Sequence, residues 1–430
     1  MKKVYSKSFG CQMNVYDSSR MVDIMKNEGY EETDKIEDAD LIIVNTCSIR
    51  EKAKEKLFSE LGRMNLIRKP NSIIVVAGCV AQSASEEIKK RMKMVDIVVG
   101  PSSYHKLPEL VKSNGGVKLD FLAEEKFATL PQNRGVKGVS EMIAVQEGCD
   151  KFCSYCIVPF TRGREYSRDF NQIINEAKVL SDEGVKEITL LGQNVDNYHF
   201  DGKDLADLIY EISKIDGIER IRYMTSYPSQ VNQALIDAHR DIAKLMPFIH
   251  LPIQSGSNKI LKAMNRKYTA EQYLDVVDKL RKSRPDIAIS SDFIVGFAGE
   301  TDKDFEETLE ICKKVNYATA FSFKYSIRPG TAGEKMPNQI PEEIKAQRLD
   351  ILQDLLEEQQ ADFNKSKNGQ ELDVLVESLS DRNDGTYFGR SPYLQTVLIN
   401  ADKQDLIGKI IKVKINKANM KLLEGELIKI

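Results

Sequence analysis

Tryptophan is absent from this sequence and histidine is scarce, with four residues in 430. His105, His199, His239 and His250 share no ligand spacing, so a histidine-built metal centre is not expected. No Ser/His pair or poised pair of carboxylates is visible either, which points away from general acid–base chemistry. Long apolar runs are also missing. None approaches the ~18 residues of a membrane helix, and the opening Met1-Lys2-Lys3-Val4-Tyr5-Ser6-Lys7 lacks the apolar stretch of a secretory leader. The expected location is the cytoplasm, with no membrane partner. An excess of basic charge is lacking too: 62 Lys+Arg face 65 Asp+Glu, a net charge of −3. Any nucleic-acid contact must therefore come from a local patch.

What is present is a soluble composition, 41% hydrophobic and 30% charged, on a chain too long for one core. Two or three domains are expected. Seven cysteines without an export signal suit metal or redox chemistry better than a disulfide framework.

Within a first domain taken as 1–135, the first ~100 residues alternate strand and helix patterns. The apolar runs Leu41–Val44, Ile73–Ala77 and Ile97–Val99 read as buried parallel strands. Helical patterns lie between them: Asn14–Glu28, closed by Gly29, and Glu51–Arg68, stopped by Pro70. This predicts an N-terminal doubly wound α/β domain, with 115–138 as a weakly patterned connector. Residues 136–365 form a second α/β series. Its strand patterns are Met142–Val145, Ile188–Leu191, Ile221–Thr225, Phe248–Ile253, Ile287–Val295 and Ala320–Tyr325. Six strands cannot close an eight-stranded barrel, so a partial (β/α)6 barrel is expected. Pro341 then opens a charged helix to about Lys365. Over 366–430, Leu372, Val374 and Val376, then Ile411, Val413 and Ile415, alternate with polar neighbours, predicting a small antiparallel β-barrel.

The strongest local signal is Cys149, Cys153 and Cys156, directly after the first barrel strand. Three thiolates at C-x3-C-x2-C wrap one corner of a metal centre. A structural zinc or a closed cubane uses four ligands, and the next cysteine is distant Cys312. A trio therefore leaves one iron open to a substrate. Other readings are a zinc knuckle with a borrowed ligand, or plain buried thiols. Cys11, Cys47 and Cys79 are far apart in sequence, yet each lies just past a predicted strand. Parallel strands present their carboxyl ends along one edge, where the three can converge. Gly10 and Gly78 allow the tight turns this needs. A second open trio is predicted, against independent buried thiols. Cys312 shares a helical stripe with Phe305 and Leu309 and reads as core.

The C-x3-C-x2-C loop resembles that of the radical S-adenosylmethionine superfamily. Two open trios in this order resemble the methylthiotransferase family over essentially the whole chain. The stretch from Cys149 to Glu165, with Gly192-Gln193-Asn194-Val195, Gln254-Ser255-Gly256-Ser257 and Arg266-Lys267-Tyr268-Thr269, looks like its MiaB branch. The resemblance implies two [4Fe-4S] clusters, with S-adenosylmethionine as radical source and methyl donor. The Cys149/Cys153/Cys156 cluster would generate the radical that takes hydrogen from C2 of an adenine. The Cys11/Cys47/Cys79 cluster would deliver the methylthio group. The implied substrate is tRNA bearing N6-isopentenyladenosine beside the anticodon, at position 37, held by a TRAM-like C-terminal domain.

Gln193, Asn194, Ser226, Gln254, Ser255, Gly296 and Glu300 follow barrel strands and are implied as S-adenosylmethionine contacts. Turn chemistry and helix capping compete as readings, Ser257 being a good N-cap for the pattern after it. Gly296-Phe297-Ala298-Gly299-Glu300 departs from the family, which usually has Pro before Gly-Glu. Arg162, Arg164, Arg266 and Lys267 are expected near the reaction mouth, as RNA contacts or as plain surface charge. Lys412 and Lys414, with Tyr387, Phe388, Arg390 and Tyr393, form a candidate RNA-gripping face. Rival readings are a sibling methylthiotransferase acting on threonylcarbamoyl-adenosine of tRNA or on a ribosomal-protein aspartate, and a zinc-dependent RNA-binding protein without activity. The electron donor and the sulfur donor are not written in the sequence, and a monomer is expected.

Overall fold

The computed structural model describes residues 1–48, 51–380, 385–401 and 405–429. The apolar runs of the first third become β1 (Lys2–Phe9), β2 (Tyr30–Glu32), β3 (Leu41–Thr46), β4 (Ile73–Ala77), β5 (Ile97–Val99) and β6 (Gly116–Lys118). All pair in parallel, in the order β2-β1-β3-β4-β5-β6. Helices α1 (Gln12–Asn27), α2 (Glu51–Ile67), α3 (Cys79–Arg91) and α4 (Leu107–Lys112) lie between them, and α5 (Ala123–Thr129) follows β6. One face of the sheet is covered through Tyr16, Met21, Met25, Leu107 and Phe127, the other through Leu57, Leu61, Val80 and Ile88. With both faces covered, β3 is buried at every position. The sheet is doubly wound, as expected, and its order reverses between β1 and β3. The expected connector is more than a connector: β6 extends the sheet, and α5 buries Lys126 and Phe127. Elements this short show no period in sequence.

From residue 140 the order is β7 (Ser140–Ala144), β8 (Gln146–Glu147), α6 (Val158–Arg162), β9 (Tyr166–Ser167), α7 (Phe170–Asp182) and β10 (Glu187–Leu191). There follow β11 (His199–Phe200), β12 (Lys203–Asp204), α8 (Leu205–Ser213), β13 (Arg220–Met224), α9 (Gln233–Asp241) and β14 (Phe248–His250). Then come α10 (Asn258–Ala263), α11 (Ala270–Ser283), β15 (Ala288–Val295), α12 (Asp302–Val315), β16 (Thr319–Lys324) and α13 (Glu342–Lys365). Two parallel three-stranded sheets, β13-β10-β7 and β14-β15-β16, are joined by the parallel bridge Ile221–Leu245. This is the partial barrel. β14 stops earlier than expected, because Pro252 has no N–H for a ladder. Capping boxes at Asp204, Thr269 and Thr301 start α8, α11 and α12. Cys312 is fully buried in the barrel core, as expected.

The C-terminal strands β17 (Glu371–Leu379), β18 (Thr386–Arg390), β19 (Thr396–Asn400), β20 (Ile410–Ala418) and β21 (Leu423–Lys429) close a barrel in the order β17-β18-β19-β21-β20. One pair, β19 with β21, is parallel, where a wholly antiparallel barrel was expected. An odd ring cannot alternate direction throughout. Five strands force one parallel neighbour.

The flanking domains dock at opposite ends of the partial barrel. Ala144 and Leu191, the last residues of β7 and β10, join the N-terminal core that contains α1, so this domain lies over the carboxyl edge. At the other end, Arg220 and Arg222 reach from the first half of β13 to the C-terminal barrel. Arg220 donates to the carbonyls of Arg390 (2.8 Å) and Asp373 (2.7 Å), and Arg222 to those of Pro392 (2.8 Å) and Ser391 (2.9 Å). Tyr393 and Leu394 pack with Phe248, Ala288 and Ala318 at the strands' starting ends. The expected RNA face is corrected accordingly. Tyr387 is buried in the C-terminal core, so its ring is closed to base stacking, and Tyr393 is half-buried against this domain junction. Among the described residues, no helix is long and apolar enough to cross a membrane.

Candidate iron–sulfur centres

Strand register decides where the N-terminal cysteines stand. Phe9 pairs with Thr46 and Asn45 with Ala77, so Cys11, Cys47 and Cys79 leave three neighbouring strands at one level. That level is the β1/β3 switch point, the ordinary ligand crevice of such a sheet. The Cys47 N–H donates to the Phe9 carbonyl at 3.0 Å. A Cβ on Gly10 would lie 2.7 Å from that of Cys47, and Gly78, at φ +90°, leaves no room for one beside Asn45. Two fully buried asparagines brace the turns. Asn14 accepts from the Cys11 thiol (3.2 Å) and donates to Asn45 Oδ1 (3.0 Å), while Asn45 donates to the Asn14 carbonyl (2.9 Å).

The barrel trio sits in a loop wrapped from several sides. Gly148, at φ +81°, lies where any Cβ would strike the Arg164 carbonyl. Its N–H donates to Gln193 Oε1 (2.6 Å), and its carbonyl accepts from Gln146 Nε2 (2.8 Å). Gln146 in turn accepts from the backbone of Gln193 (2.9 Å) and Asn194 (3.2 Å). Glu165 accepts from Asp150 N–H (3.2 Å), Asn194 Nδ2 (3.0 Å) and Asn197. On the far side, Arg266 Nη1 points at Cys153 Sγ (3.5 Å). Gln146 is absent from the residues singled out in sequence. An amide that ties two loops together has no spacing signature.

The thiols respond to these surroundings. Burial pushes Cys149 and Cys156 up to about 12, with the neighbouring cysteines adding to the rise. Cys79 is raised by burial, with Arg162 pulling the other way. Cys11 is held down to about 6, first by a hydrogen bond with Cys47 and, against burial, by the Arg162 guanidinium. Buried thiols lose their protons readily only to a cationic partner, and iron centres supply that charge. Among the described residues, no three His, Cys, Asp or Glu side chains converge on a single ion. The three thiols of each group are the donor type that holds iron–sulfur clusters.

Helix α6, about 7.5 Å long, links the trios. It begins just after Cys156 and ends in Arg162, which pairs with Asp17 of α1 (2.7 Å) and Glu147 (3.0 Å). Arg162 and Arg266, expected as RNA contacts or surface charge, are instead buried, at 3% and 9% exposure. Their positions inside an interface and beneath a loop were hidden in the sequence. Arg164 and Lys267 are exposed, Arg164 being paired with Asp150 (2.6 Å).

The residues expected around S-adenosylmethionine divide into two groups. Ser226 Oγ and Asn194 Oδ1 are buried without a hydrogen-bond partner among the described residues, and Gln254 sits at φ +79° on the barrel's carboxyl side. Gln193 is engaged with the cysteine loop, and Ser255 hydrogen-bonds Thr308 (3.3 Å). Lys345 fills the space where a Gly296 Cβ would be. Glu300 accepts from Gly296 N–H (2.8 Å) and Arg348 (2.8 Å), latching this loop to α13. Ser257 occupies the N-cap of α10, but its hydroxyl donates to Asp304 (2.7 Å) and accepts no bond from the helix N–H groups.

Residues 3–100 match the uncharacterized protein family UPF0004, 143–312 the Radical SAM superfamily, and 365–428 the TRAM domain. The tRNA-2-methylthio-N(6)-dimethylallyladenosine synthase of Rickettsia canadensis is 52% identical over 443 residues, covering 99% of each chain. The protein of the same name from Bartonella tribocorum is 51% identical over 444 residues, 99% of this chain and 96% of that one. Among solved structures, the radical S-adenosylmethionine methyltransferase TsrM of Kitasatospora setae aligns with a TM-score of 0.60 at 14% identity, over 78% of this chain and 75% of that one. That likeness concerns the fold alone. Full-length identity above half, over a radical domain flanked by UPF0004 and TRAM regions, makes this chain a member of the tRNA-2-methylthio-N(6)-dimethylallyladenosine synthase family of radical S-adenosylmethionine methylthiotransferases.

Proposed function

We propose that the protein methylthiolates C2 of N6-isopentenyladenosine at tRNA position 37. The domains are assigned as 1–135 for the auxiliary centre, 136–365 for radical generation and 366–430 for RNA binding. Cys149, Cys153 and Cys156 would hold one [4Fe-4S] cluster with S-adenosylmethionine, and Cys11, Cys47 and Cys79 the other. Once bound, these groups supply the radical that breaks a strong C–H bond and the methylthio unit that replaces hydrogen.

The chain's own part is placement. Gln146, Gln193 and Glu165 hold the cysteine loop against the β10 loop, so the trio cannot splay when charge changes. Asn194, Ser226 and Gln254 are the favoured S-adenosylmethionine contacts, because two of them carry buried polar atoms without a protein partner. Gln193, Ser255, Gly296 and Glu300 then act by shaping the loops around that site. Arg162 fastens the N-terminal domain to the barrel through Asp17 and Glu147, and the reading has both trios serve one reaction space.

The observation that carries the reading is the pairing of two three-cysteine sites across α6, on a chain 52% identical to synthases of this name. The test is nucleoside analysis of isopentenylated tRNA incubated with reconstituted protein, S-adenosylmethionine and reductant. A C2-methylthio product is expected, with about eight irons per chain. Product on threonylcarbamoyl-adenosine or on a ribosomal protein, with none here, would transfer the assignment to a sibling. A colourless, zinc-loaded chain would end it. The reading places the work in the cytoplasm, by a monomer that draws on an electron donor and a sulfur donor.

A further inference from the structure

Two buried guanidiniums face the cysteines, and they keep different company. Arg162, at the N-terminal trio, meets two carboxylates, Asp17 and Glu147. Arg266, at the barrel trio, has no carboxylate in hydrogen-bond contact among the described residues. Its Nε donates to Tyr268 Oη (2.6 Å), its Nη2 to the Pro252 carbonyl (2.8 Å) and its Nη1 to Cys153 Sγ (3.5 Å). The rings of Tyr227 and Tyr268 flank it, with centroids 4.2 and 4.9 Å from the guanidinium carbon. Asp196, which feels this charge, keeps both oxygens on the Tyr227 N–H (3.0 and 2.8 Å).

A buried cation without a paired carboxylate is costly to fold around. Here the cost is offset when the cysteine beside it is a thiolate. Hydrogen bonds to ligand sulfurs, and the net charge nearby, set how readily an iron–sulfur centre accepts an electron. Two neutral anchors, a tyrosine and a carbonyl, fix the fork so that its remaining arm is aimed at sulfur. Lysine has one ammonium nitrogen where these contacts use the three separate nitrogens of a planar fork.

We propose that Arg266 is a positioning residue for the radical step: its guanidinium donates to the Cys153 thiolate and makes the cluster held there easier to reduce by one electron. The electron comes from an external one-electron donor, and no bond is made or broken at Arg266. The inference rests on Cys149, Cys153 and Cys156 being cluster ligands. Arg162 is the internal comparison, since its charge is already answered by two acids.

The experiment is a potentiometric titration of the full-length, anaerobically reconstituted chain, with dithionite and mediators, following the paramagnetic signal of each reduced cluster. In Arg266→Gln, the ratio of reduced to oxidised barrel cluster at a fixed potential is expected to fall about tenfold, equal to about 59 mV for one electron. The auxiliary cluster is expected to titrate as before, and Arg266→Lys to fall between. Intact clusters in Arg266→Gln with the original midpoint overturn the proposal. Loss of iron from both variants also overturns it, making the residue structural. If only the glutamine variant loses iron, the lysine variant decides: a lowered midpoint supports the proposal and an unchanged one overturns it. A parent chain that binds no iron sinks the cysteine assignment instead.

Discussion

Cys79 shows how much one side chain is asked to do. It opens α3 directly after Gly78, so its direction is set by a glycine at φ +90° and by Asn45 packed against that glycine. Under the proposed function, replacing it would remove one of three cluster ligands, with no fourth cysteine to take its place. Cys79→Ala is expected to drop iron from about eight to about four per chain. S-adenosylmethionine cleavage should persist while the methylthio product disappears. Iron content measured beside 5′-deoxyadenosine and nucleoside yields checks this, and retained product would remove Cys79 from the site. At this scale much was legible. Cysteine placement after predicted strands needed only the rule that parallel strands end along one edge. The partners of those cysteines were not legible, because Asn14, Asn45 and Gln146 are ordinary polar residues until register brings them together.

Among elements, α6 carries weight out of proportion to its length. Five residues join the two trios, and the last of them inserts a guanidinium between Asp17 of α1 and Glu147 of β8. Lys126 of α5 completes this buried group by pairing with Glu147. Arg162→Ala would leave Asp17 without its cation, and breaking a buried pair from one side costs roughly 3–5 kcal/mol. Faster hydrogen exchange across α1 and α6, with the C-terminal barrel unchanged, is the expected outcome. Unaltered protection of α1 would show that the apolar contacts of Ala144 and Leu191 suffice to hold the domains. The pattern Arg162-Gly163-Arg164-Glu165 reads in sequence as a charged loop. Only docking turns the first arginine inward and leaves the second exposed.

Across the whole molecule, the interface between the N-terminal domain and the barrel is ionic as well as apolar, and so depends on pH. Glu176 of α7 is buried against Arg168 (2.8 Å) and Arg134 (2.6 Å). Burial alone would raise its carboxyl, but the arginines outweigh it and hold it at about 2, against an ordinary 4.5. A depressed folded value means that the unfolded chain binds the proton first. The stabilisation is therefore complete above pH 4.5 and drains away as the pH falls toward 2. It amounts to about 3 kcal/mol. Urea midpoints measured down this range should fall, and Glu176→Gln should flatten that dependence. Identical slopes in both proteins would assign the acid sensitivity elsewhere.

The sequence by itself determined the periodicities and the positions of the thiols, and with them the doubly wound sheet, the partial barrel, the β-barrel and both cysteine trios. These follow from local spacing, which a linear chain already contains. Tertiary structure alone decided that Arg162 and Arg266 are buried beside cysteines, that Lys345 occupies the space beside Gly296, and that Tyr387 and Tyr393 belong to cores and junctions. A charged or aromatic side chain has the same letter whether it meets water, sulfur or another domain. Which of these it meets is set by contacts between residues more than a hundred positions apart, as for Arg162 with Asp17 or Arg222 with Ser391.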